Sequence, residues 1–379
     1  MSKSFSLAVV FALAAFALTP WAGQAQKEDK GDKVRITTVD GVDLNAKFYA
    51  CRDGKIKNPP MVLMLHPLGE TSSKKPWVAL AEKLSEKSAV MTFDFRGHGQ
   101  STEIDPDLFW KERFNRSVLN VKAAGNAAAA NKNNLEFKEL LPAYSTGYIN
   151  DIAACKAYLD RKNDTGACNT SSFILVGAED GATLGAIWLN SEYHRHRLVQ
   201  HPVTLLMAPE NRPEGLDVIA CVWLSIKSTV GSRTVSVGNT LSIPLKERGV
   251  PMVFMFGEED TKAKAVANAA LSFLPKGKTA KSKFPFTAGV PVKTKLSGME
   301  LLQKSLNVDG AIHQYLFGGP DVEGVVDAKA REWQEREFRK TQYIWRLPGT
   351  AAGATGVPAK MLNDTNFLFN DYSRYVRSQ

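Results

Sequence analysis

The stretch that decides the fold is Ser172-Phe173-Ile174-Leu175-Val176-Gly177-Ala178-Glu179-Asp180-Gly181-Ala182-Thr183-Leu184-Gly185. Its β-branched and aromatic first half favours a strand, and the small residues that follow the two glycines favour a helix, so the stretch predicts a sharp strand-to-helix turn. In the G-x-S-x-G nucleophile elbow, such a turn holds its central residue on a strained backbone, exposed above a sheet. The central residue here is Glu179, where that pattern has serine.

The N-terminus has the pattern of a signal peptide. Lys3 precedes an apolar run from Phe5 to Leu18, and Gly23-Gln24-Ala25 is a small-x-small cleavage site. We therefore expect residues 1–25 to be removed and the mature protein to be exported, either periplasmic or secreted. No later apolar run reaches membrane-spanning length, so no membrane span is expected.

Net charge and cysteine content indicate which partners and which disulfides the chain could have. The net charge is +9 over 379 residues, which favours contact with anionic surfaces such as an envelope component. No arginine–aromatic motif accompanies this charge, so we predict no nucleic-acid partner. The four cysteines are too few for a disulfide scaffold. In an oxidising compartment we favour Cys155 and Cys168 as a disulfide pair, and we expect Cys221 to be a buried thiol.

Strand and helix patterns alternate along most of the chain. A charged linker is predicted over 26–33. The predicted elements that follow are a hairpin over 34–49, a strand over 61–65, a helix over 76–87, a strand over 89–93, a helix over 148–161, strands over 218–224 and 251–256, a last strand over 292–296 and a final helix over 308–317.

Two loops complete the pattern: His66-Pro67-Leu68-Gly69 follows one strand, and Asp94-Phe95-Arg96-Gly97-His98-Gly99-Gln100-Ser101 follows another. With the G-x-x-x-G turn, their order and spacing resemble the α/β-hydrolase superfamily over residues 34–317. The resemblance implies a mostly parallel central sheet flanked by helices, with a site at the carboxyl ends of the strands.

The resemblance also implies roles for single positions. Glu179 stands at the nucleophile position, Asp260 at the acid position, and Ser297 where related hydrolases carry the catalytic histidine. The backbone N–H groups of Leu68 and Asp180 would form the oxyanion hole. Nucleophile and base are thus both replaced, and negative charge at the elbow would oppose an oxyanion, so ester hydrolysis by the usual route is disfavoured.

A carboxylate nucleophile is the enzymatic alternative. Haloalkane dehalogenases and epoxide hydrolases place an aspartate at the elbow and use a histidine to activate water. Glu179 is one methylene longer than aspartate, and the late histidine, His313, falls within the predicted final helix, where a packed or surface histidine is the preferred interpretation. His66 and His98 match positions that support loops around the site.

Other charged groups leave alternatives open. His194, His196 and His201 lie near interleaved arginines, which favours a solvated basic loop over a metal site. We predict no metal and no cofactor. If Glu179, Asp180 and Asp260 converge, they could bind a cation or a cationic ligand, or share a proton, and the sequence does not separate these options.

Two segments lack a clear assignment. Residues 102–146 either shape the mouth of the site or form a surface excursion. Residues 318–379 lie outside the resemblance and are predicted to form a helical appendage, with a charged helix over 322–345 that packs on the sheet edge or contacts a partner.

The sequence leaves three alternative functions open. The leading hypothesis is an exported pseudo-hydrolase with a degenerate triad that binds a small-molecule ligand in the former pocket without cleaving it. The second is a hydrolase of esters, haloalkanes or epoxides that uses a carboxylate nucleophile or a relocated triad. The third is a structural protein whose basic surface binds an anionic envelope component.

Overall fold

The computed structural model describes residues 31–117, 132–200, 207–275, 284–337 and 341–345, so the predicted signal peptide lies outside the described residues. The described residues from Gly31 onward belong to one compact unit. No helix in these ranges is long and apolar enough to cross a membrane.

The strands are numbered in chain order. They are β1 (Asp32–Thr37), β2 (Asp43–Tyr49), β3 (Pro60–Leu65), β4 (Ala89–Phe93), β5 (Asn169–Ala178), β6 (Arg195–Gln200), β7 (Met207–Pro213), β8 (Val218–Leu224), β9 (Thr229–Val230), β10 (Arg233–Thr234), β11 (Met252–Gly257), β12 (Ala288–Val292) and β13 (Gln342–Trp345). Every residue of β3, β5, β8 and β11 is buried, as expected for strands of a parallel sheet that is covered on both faces.

The main sheet has eight strands in the order β1-β2-β4-β3-β5-β8-β11-β12. β2 pairs antiparallel with both β1 and β4, and the remaining neighbours pair in parallel. This order, with helical crossovers between parallel strands, is the α/β-hydrolase fold that the motifs predicted. The carboxyl ends of β3, β5, β8 and β11 therefore meet at one edge, where such sheets place their sites.

The α-helices are likewise numbered in chain order. They are α1 (Lys75–Leu84), α2 (Pro106–Phe109), α3 (Arg113–Ser117), α4 (Tyr148–Asp164), α5 (Glu179–Glu192), α6 (Val237–Thr240), α7 (Thr261–Leu271), α8 (Val308–Phe317) and α9 (Val325–Lys329). Short 3-10 helices cover Phe137–Glu139, Pro142–Thr146, Glu214–Asp217, Gly298–Leu302 and Lys304–Leu306, and a π-helical turn covers Ser242–Glu247.

Two apolar clusters cover the faces of the sheet. On one face, Leu63 and Leu175 pack with Ile152 of α4 and Leu189 of α5. On the other, the alternate strand residues pack with α1 and α8, for example Val62 with Trp77 and Ile312. The period of two along β3 thus assigns successive residues to opposite cores.

Most predicted elements are confirmed within a few residues, including the hairpin, the elbow strand and the final helix over 308–317. The linker is shorter than predicted because β1 already begins at Asp32. The last strand is Ala288–Val292 rather than 292–296, because the edge strand pairs with β11 through that earlier segment. Within 102–146, the described residues form short helices and two isolated bridges, one from Ile104 to Val42 and one between Glu103 and Asn134.

The charged helix predicted over 322–345 was wrong. Of the described residues in this range, only Val325–Lys329 are helical, residues 330–337 have no regular secondary structure, and β13 pairs with β6. Arg336 provides the physical reason. Its guanidinium is buried and bonds Asp217 Oδ2 at 2.6 Å and Ser171 Oγ at 2.8 Å, which fixes residues 330–337 as a non-helical strap against the main unit.

The basic loop predicted around His194 and His196 was also wrong, because β6 occupies Arg195–Gln200 and pairs with β7 and β13. Its arginines are held by buried carboxylates: Arg195 bonds Glu192, and Arg197 Nε lies 2.7 Å from Glu214 Oε1. His201 lies outside the described residues.

The cysteines are free thiols, so the predicted Cys155–Cys168 disulfide was wrong as well. Both side chains are buried in the core beside α4, and Cys168 Sγ contacts the carbonyl oxygen of Leu159 at 3.8 Å. Cys221 is buried in β8, as expected.

Candidate functional site

The elbow has the geometry that its glycines predict. β5 ends at Ala178 and α5 begins at Glu179, whose φ of 49° lies in the left-handed region. A Cβ on Gly177 would lie 2.6 Å from Ala182 Cα, and one on Gly181 would lie 2.4 Å from the carbonyl oxygen of His66. Neither contact is sterically tolerable, so both glycines are required where strand, turn and helix approach one another.

A cavity of about 700 Å³ opens at this elbow, at the carboxyl ends of the parallel strands. Its polar lining comprises Ser145, Glu179, Asp180, Ser225, Lys227, Ser228, Thr229, Asp260, Lys262, Lys295 and Ser297. Its walls also include Leu68, Phe137, Leu140, Leu141, Tyr148, Ile226 and Val266. The structure therefore brings the predicted nucleophile, acid, histidine and oxyanion positions to one space.

Lys227 pairs with both carboxylates at the elbow. Its Nζ forms an ion pair with Glu179 Oε2 and lies 3.3 Å from Asp180 Oδ1. Burial alone would lower the pKa of Lys227, but the hydrogen bond to Glu179 and the charge of Asp180 raise it above the usual value. Lys227 is therefore a cation that offsets part of the negative charge at the elbow, and not a proton acceptor.

The strand register explains how Lys227 reaches the elbow. Ala178 pairs with Leu224, so the loop that follows β8 lies beside the first turn of α5. Thr183 Oγ1 donates a hydrogen bond of 2.6 Å to the carbonyl oxygen of Lys227 and holds this loop against the helix.

Asp180 occupies the region where an oxyanion would be stabilised. Burial raises the pKa of its carboxyl group, against the lowering effects of Lys227 and of a hydrogen bond from the backbone N–H of Leu68. The carboxyl group of Asp180 therefore lies near one of the two predicted oxyanion donors.

Asp260 and Ser297 line the cavity but form no triad with a histidine. Asp260 Oδ1 accepts a hydrogen bond of 3.0 Å from the backbone N–H of Ala263 and caps α7. Ser297 precedes Gly298, against which the Glu179 side chain is packed. None of the described residues that line the cavity is a histidine.

His313 lies away from this lining, on α8. Its Nε2 is 3.8 Å from Glu86 Oε2, and its ring is 5.1 Å from that of Phe317 between centroids. Burial lowers the pKa of His313. The structure thus places this histidine beside the segment that follows α1, without a contact to Asp260 or Glu179.

His66 and His98 are bound on both ring nitrogens. His66 Nε2 accepts the N–H of Phe95 at 3.0 Å while Nδ1 lies 2.7 Å from the carbonyl oxygen of Pro67. His98 Nε2 accepts the N–H of Gly69 at 2.9 Å. Burial lowers the pKa of His66 to about 4 and also lowers that of His98, so both rings are neutral connectors of the loops behind the cavity.

The H-x-H segment shows no metal geometry. His196 Nδ1 lies 2.8 Å from the carbonyl oxygen of Glu210 within the β6–β7 hairpin. Among the described residues, no three histidine, cysteine or acidic side chains are grouped to hold a metal ion.

Sequence reasoning missed three residues of the cavity lining: Lys227, Ser145 and Ser225. Lys227 stands three residues after the end of β8, outside any motif, and Ser145 lies in the segment 102–146, for which the sequence supports no single assignment. The position of Lys227 after a parallel strand adjacent to the elbow strand was the one available signal, and it requires the strand order to be known.

No family model and no curated protein matches the chain. Similar solved structures include an esterase from Pyrococcus furiosus (14% identity, covering 75% of this chain and 89% of that chain, TM-score 0.44). A dienelactone hydrolase from Anabaena variabilis has 14% identity over 75% of this chain and 94% of its own, with a TM-score of 0.42. An α/β serine hydrolase without a lid from Xanthomonas campestris has 13% identity over 75% and 92%, also with a TM-score of 0.42.

Proposed function

We propose that this chain is an exported α/β-hydrolase-fold protein that binds a small molecule in the elbow cavity without cleaving it. The observation that supports the proposal is the position of Lys227, paired with Glu179 and Asp180 where a hydrolase needs an activated nucleophile and a free oxyanion hole. A cavity of about 700 Å³ with apolar walls and few polar groups has the size and character of ligand sites.

Acyl transfer by the usual route lacks two components here. A serine nucleophile needs a histidine that takes its proton and later returns it to the leaving group. The nucleophile position carries Glu179, and no histidine is found among the described cavity-lining residues. The Asp180 carboxylate beside the Leu68 N–H would also repel a developing oxyanion.

A carboxylate nucleophile is disfavoured by the same contacts. Attack by Glu179 would form an ester with the substrate, and a general base would then have to activate water to hydrolyse that ester. The ion pair with Lys227 reduces the nucleophilicity of the carboxylate, and His313 lies beside Glu86 instead of at the cavity. The remaining cavity supports binding better than turnover.

The test is hydrolysis of short- and long-chain acyl esters, haloalkanes and epoxides by the purified protein. Glu179→Gln is assayed alongside, and Glu258→Gln serves as the matched control because Glu258 is exposed and lies outside the cavity lining. We expect the parent protein to show no more turnover than the Glu179→Gln variant. Turnover that is lost in Glu179→Gln and kept in Glu258→Gln would overturn the proposal in favour of a carboxylate nucleophile.

A further inference from the structure

Phe137 has an exposed aromatic ring in the wall of the elbow cavity. It is 38% exposed, whereas Tyr148, the other aromatic residue of the lining, is 3% exposed. The other large apolar side chains that are exposed in the described ranges lie outside the cavity lining; they are Leu108, Val199, Met207 and Val322. Ligand sites are concave and are lined mainly by apolar and aromatic side chains. The open ring of Phe137 is therefore a surface that an incoming molecule can cover.

The ring is packed on one side. Its centroid lies 4.3 Å from that of the His98 ring, with an angle of 38° between the two planes. His98 is itself fixed, because its Nε2 accepts a hydrogen bond from the N–H of Gly69. A Cβ on Gly69 would lie 3.7 Å from Phe137 Cε1, so the loop after β3 also lies close to the ring. The exposed surface of Phe137 therefore lies away from His98, towards the cavity.

The backbone of Phe137 is also held in place. Its N–H donates a hydrogen bond of 2.8 Å to the carbonyl oxygen of Gly97. A Cβ on Gly97 would lie 2.8 Å from the Phe137 nitrogen, so these two segments are in direct contact. The Glu136 N–H donates to Glu139 Oε2 at 3.0 Å and closes the start of the 3-10 helix that carries Phe137. A ring held in this way loses little conformational freedom when a ligand binds.

Phe137 ends a series of aromatic rings that begins in the core. Phe93 of β4 contacts Phe95 at 4.8 Å between centroids, and Phe95 contacts His66 at 5.1 Å. His66 then contacts His98 at 5.5 Å, and His98 contacts Phe137. Aromatic pairs at such separations attract each other through their quadrupoles, in edge-to-face or offset arrangements. Among the described residues no ring follows Phe137 in this series, although the cavity leaves room for one.

We propose that Phe137 is a stacking platform and that the ligand of the elbow cavity carries a planar aromatic ring, which packs on the side of Phe137 opposite His98. This inference rests on the proposed binding function. Leu140 and Leu141 line the same cavity and provide apolar surface for the rest of the ring system. No charge is assigned to the ligand, because the lining carries three carboxylates and three lysines: Glu179, Asp180, Asp260, Lys227, Lys262 and Lys295.

The test compares two neutral probes with the same carbon skeleton: 2-naphthalenemethanol, which is planar and aromatic, and decahydro-2-naphthalenemethanol, which is puckered and saturated. Calorimetric titration into the purified protein measures the dissociation constant of each probe. Because the probes also differ in hydrophobicity, the proposal is tested by how a substitution changes the ratio of the two dissociation constants. Phe137→Leu keeps an apolar side chain and removes the ring, and it is expected to shift this ratio by about threefold to tenfold against the aromatic probe.

Two further variants show whether the shift belongs to this ring. Phe137→Tyr keeps the aromatic face and is expected to keep the ratio of the parent protein. The matched control is Phe317→Leu, the same substitution at a half-buried phenylalanine that also contacts a histidine ring, that of His313 at 5.1 Å, but lies outside the cavity lining. This control is expected to leave the ratio unchanged. Urea unfolding of each variant checks that it is folded under the conditions of the titration.

Three results would overturn the inference. The first is an unchanged ratio in Phe137→Leu, including an equal weakening of both probes, which would make Phe137 a plain apolar wall. The second is the same shift in Phe317→Leu or in Phe137→Tyr. The third is binding of neither probe. Each of them leaves the proposed function to the turnover assay with Glu179→Gln, whose result does not depend on Phe137.

Discussion

The side chain of Glu179 occupies the space into which any side chain on residue 298 would project: a Cβ on Gly298 would lie 2.1 Å from Glu179 Oε1 and 2.6 Å from its Cγ. Gly298 has a φ of 54°, in the region that glycine adopts readily. The elbow carboxylate and the turn after Ser297 are therefore fitted to each other.

Gly298→Ala is expected to destabilise the protein by about 2 kcal/mol or more, because it adds both backbone strain and a steric contact. In a Glu179→Ala background the contact is absent, and the cost is expected to fall to about 1 kcal/mol from the conformational strain alone. Urea unfolding of the parent protein, the two single variants and the double variant measures the coupling between residues 179 and 298. Equal costs in both backgrounds would contradict it.

Lys227→Gln leaves Glu179 and Asp180 together without their shared cation. Because the Lys227 side chain is 43% exposed, solvent screens the pair and the expected loss at neutral pH is modest, about 1 kcal/mol or less. The loss is expected to shrink as the pH falls, because burial raises the pKa of Asp180 and its carboxyl group then takes up a proton more readily than an exposed aspartate does. Lys262→Gln, at the same cavity and without an ion pair to a described residue, is the control and should leave stability unchanged at every pH.

Restoring a serine and a histidine is expected to be insufficient for catalysis. Glu179→Ser with Ser297→His supplies the missing groups in the cavity that Asp260 also lines, but the Asp180 carboxylate remains near the Leu68 N–H. Adding Asp180→Ala is expected to raise ester turnover by about a hundredfold to a thousandfold, the usual contribution of one oxyanion donor. Equal turnover by the double and triple variants would show that the Leu68 N–H is accessible despite Asp180.

His66 makes stability depend on pH. Because burial lowers its folded-state pKa to about 4, the unfolded chain binds a proton below roughly pH 6.5 while the folded protein does not. The stabilisation is present above that pH and is lost as the pH falls to about 4, by roughly 3 kcal/mol in total. Denaturant unfolding across this pH range should show that the free energy of unfolding falls less steeply in His66→Gln than in the parent protein. His313→Gln, which alters a ring that is only partly buried, should behave like the parent.

Arg336→Ala removes the cation of a buried network. Its guanidinium bonds Asp217, Ser171 and Thr170, and its loss removes the donor to Asp217 Oδ2 and leaves Arg212 as the cation beside this carboxylate. We expect a destabilisation of about 3–5 kcal/mol and earlier proteolysis within residues 330–337. The control is Arg331→Ala, whose side chain is exposed, and comparable damage in the control would show that the strap is fixed by its backbone instead.

Local patterns predicted the sheet and the elbow because strand period, buried apolar runs and paired glycines act over short distances. Glu179, Asp260 and Ser297 were located from motifs tied to strand ends, and strand order brought them to one cavity. The places of Lys227 and Ser225 at the cavity could not be predicted in this way, because they depend on the pairing of Ala178 with Leu224 across the sheet.

The prediction for the C-terminal segment was wrong for a related reason. Its charged composition predicted a helix over 322–345, but the burial of Arg336 depends on Asp217, a partner 119 residues earlier in the chain. A single sequence carries no signal for an ion pair at that separation, whereas the local helical pattern is visible. The same holds for β6, whose arginines suit a buried strand because Glu192 and Glu214 face them.

The strap that carries Arg336 also affects the order in which the chain can fold. During synthesis, Asp217 and Ser171 leave the ribosome long before Arg336 does. The buried Asp217 carboxylate and the Ser171 hydroxyl therefore lack their Arg336 partner until the C-terminal segment has been made. Contacts of such long sequence separation slow folding and prolong the lifetime of partly folded states. A fragment ending at residue 317, the boundary of the hydrolase resemblance, would therefore be an aggregation-prone intermediate and not an autonomous domain.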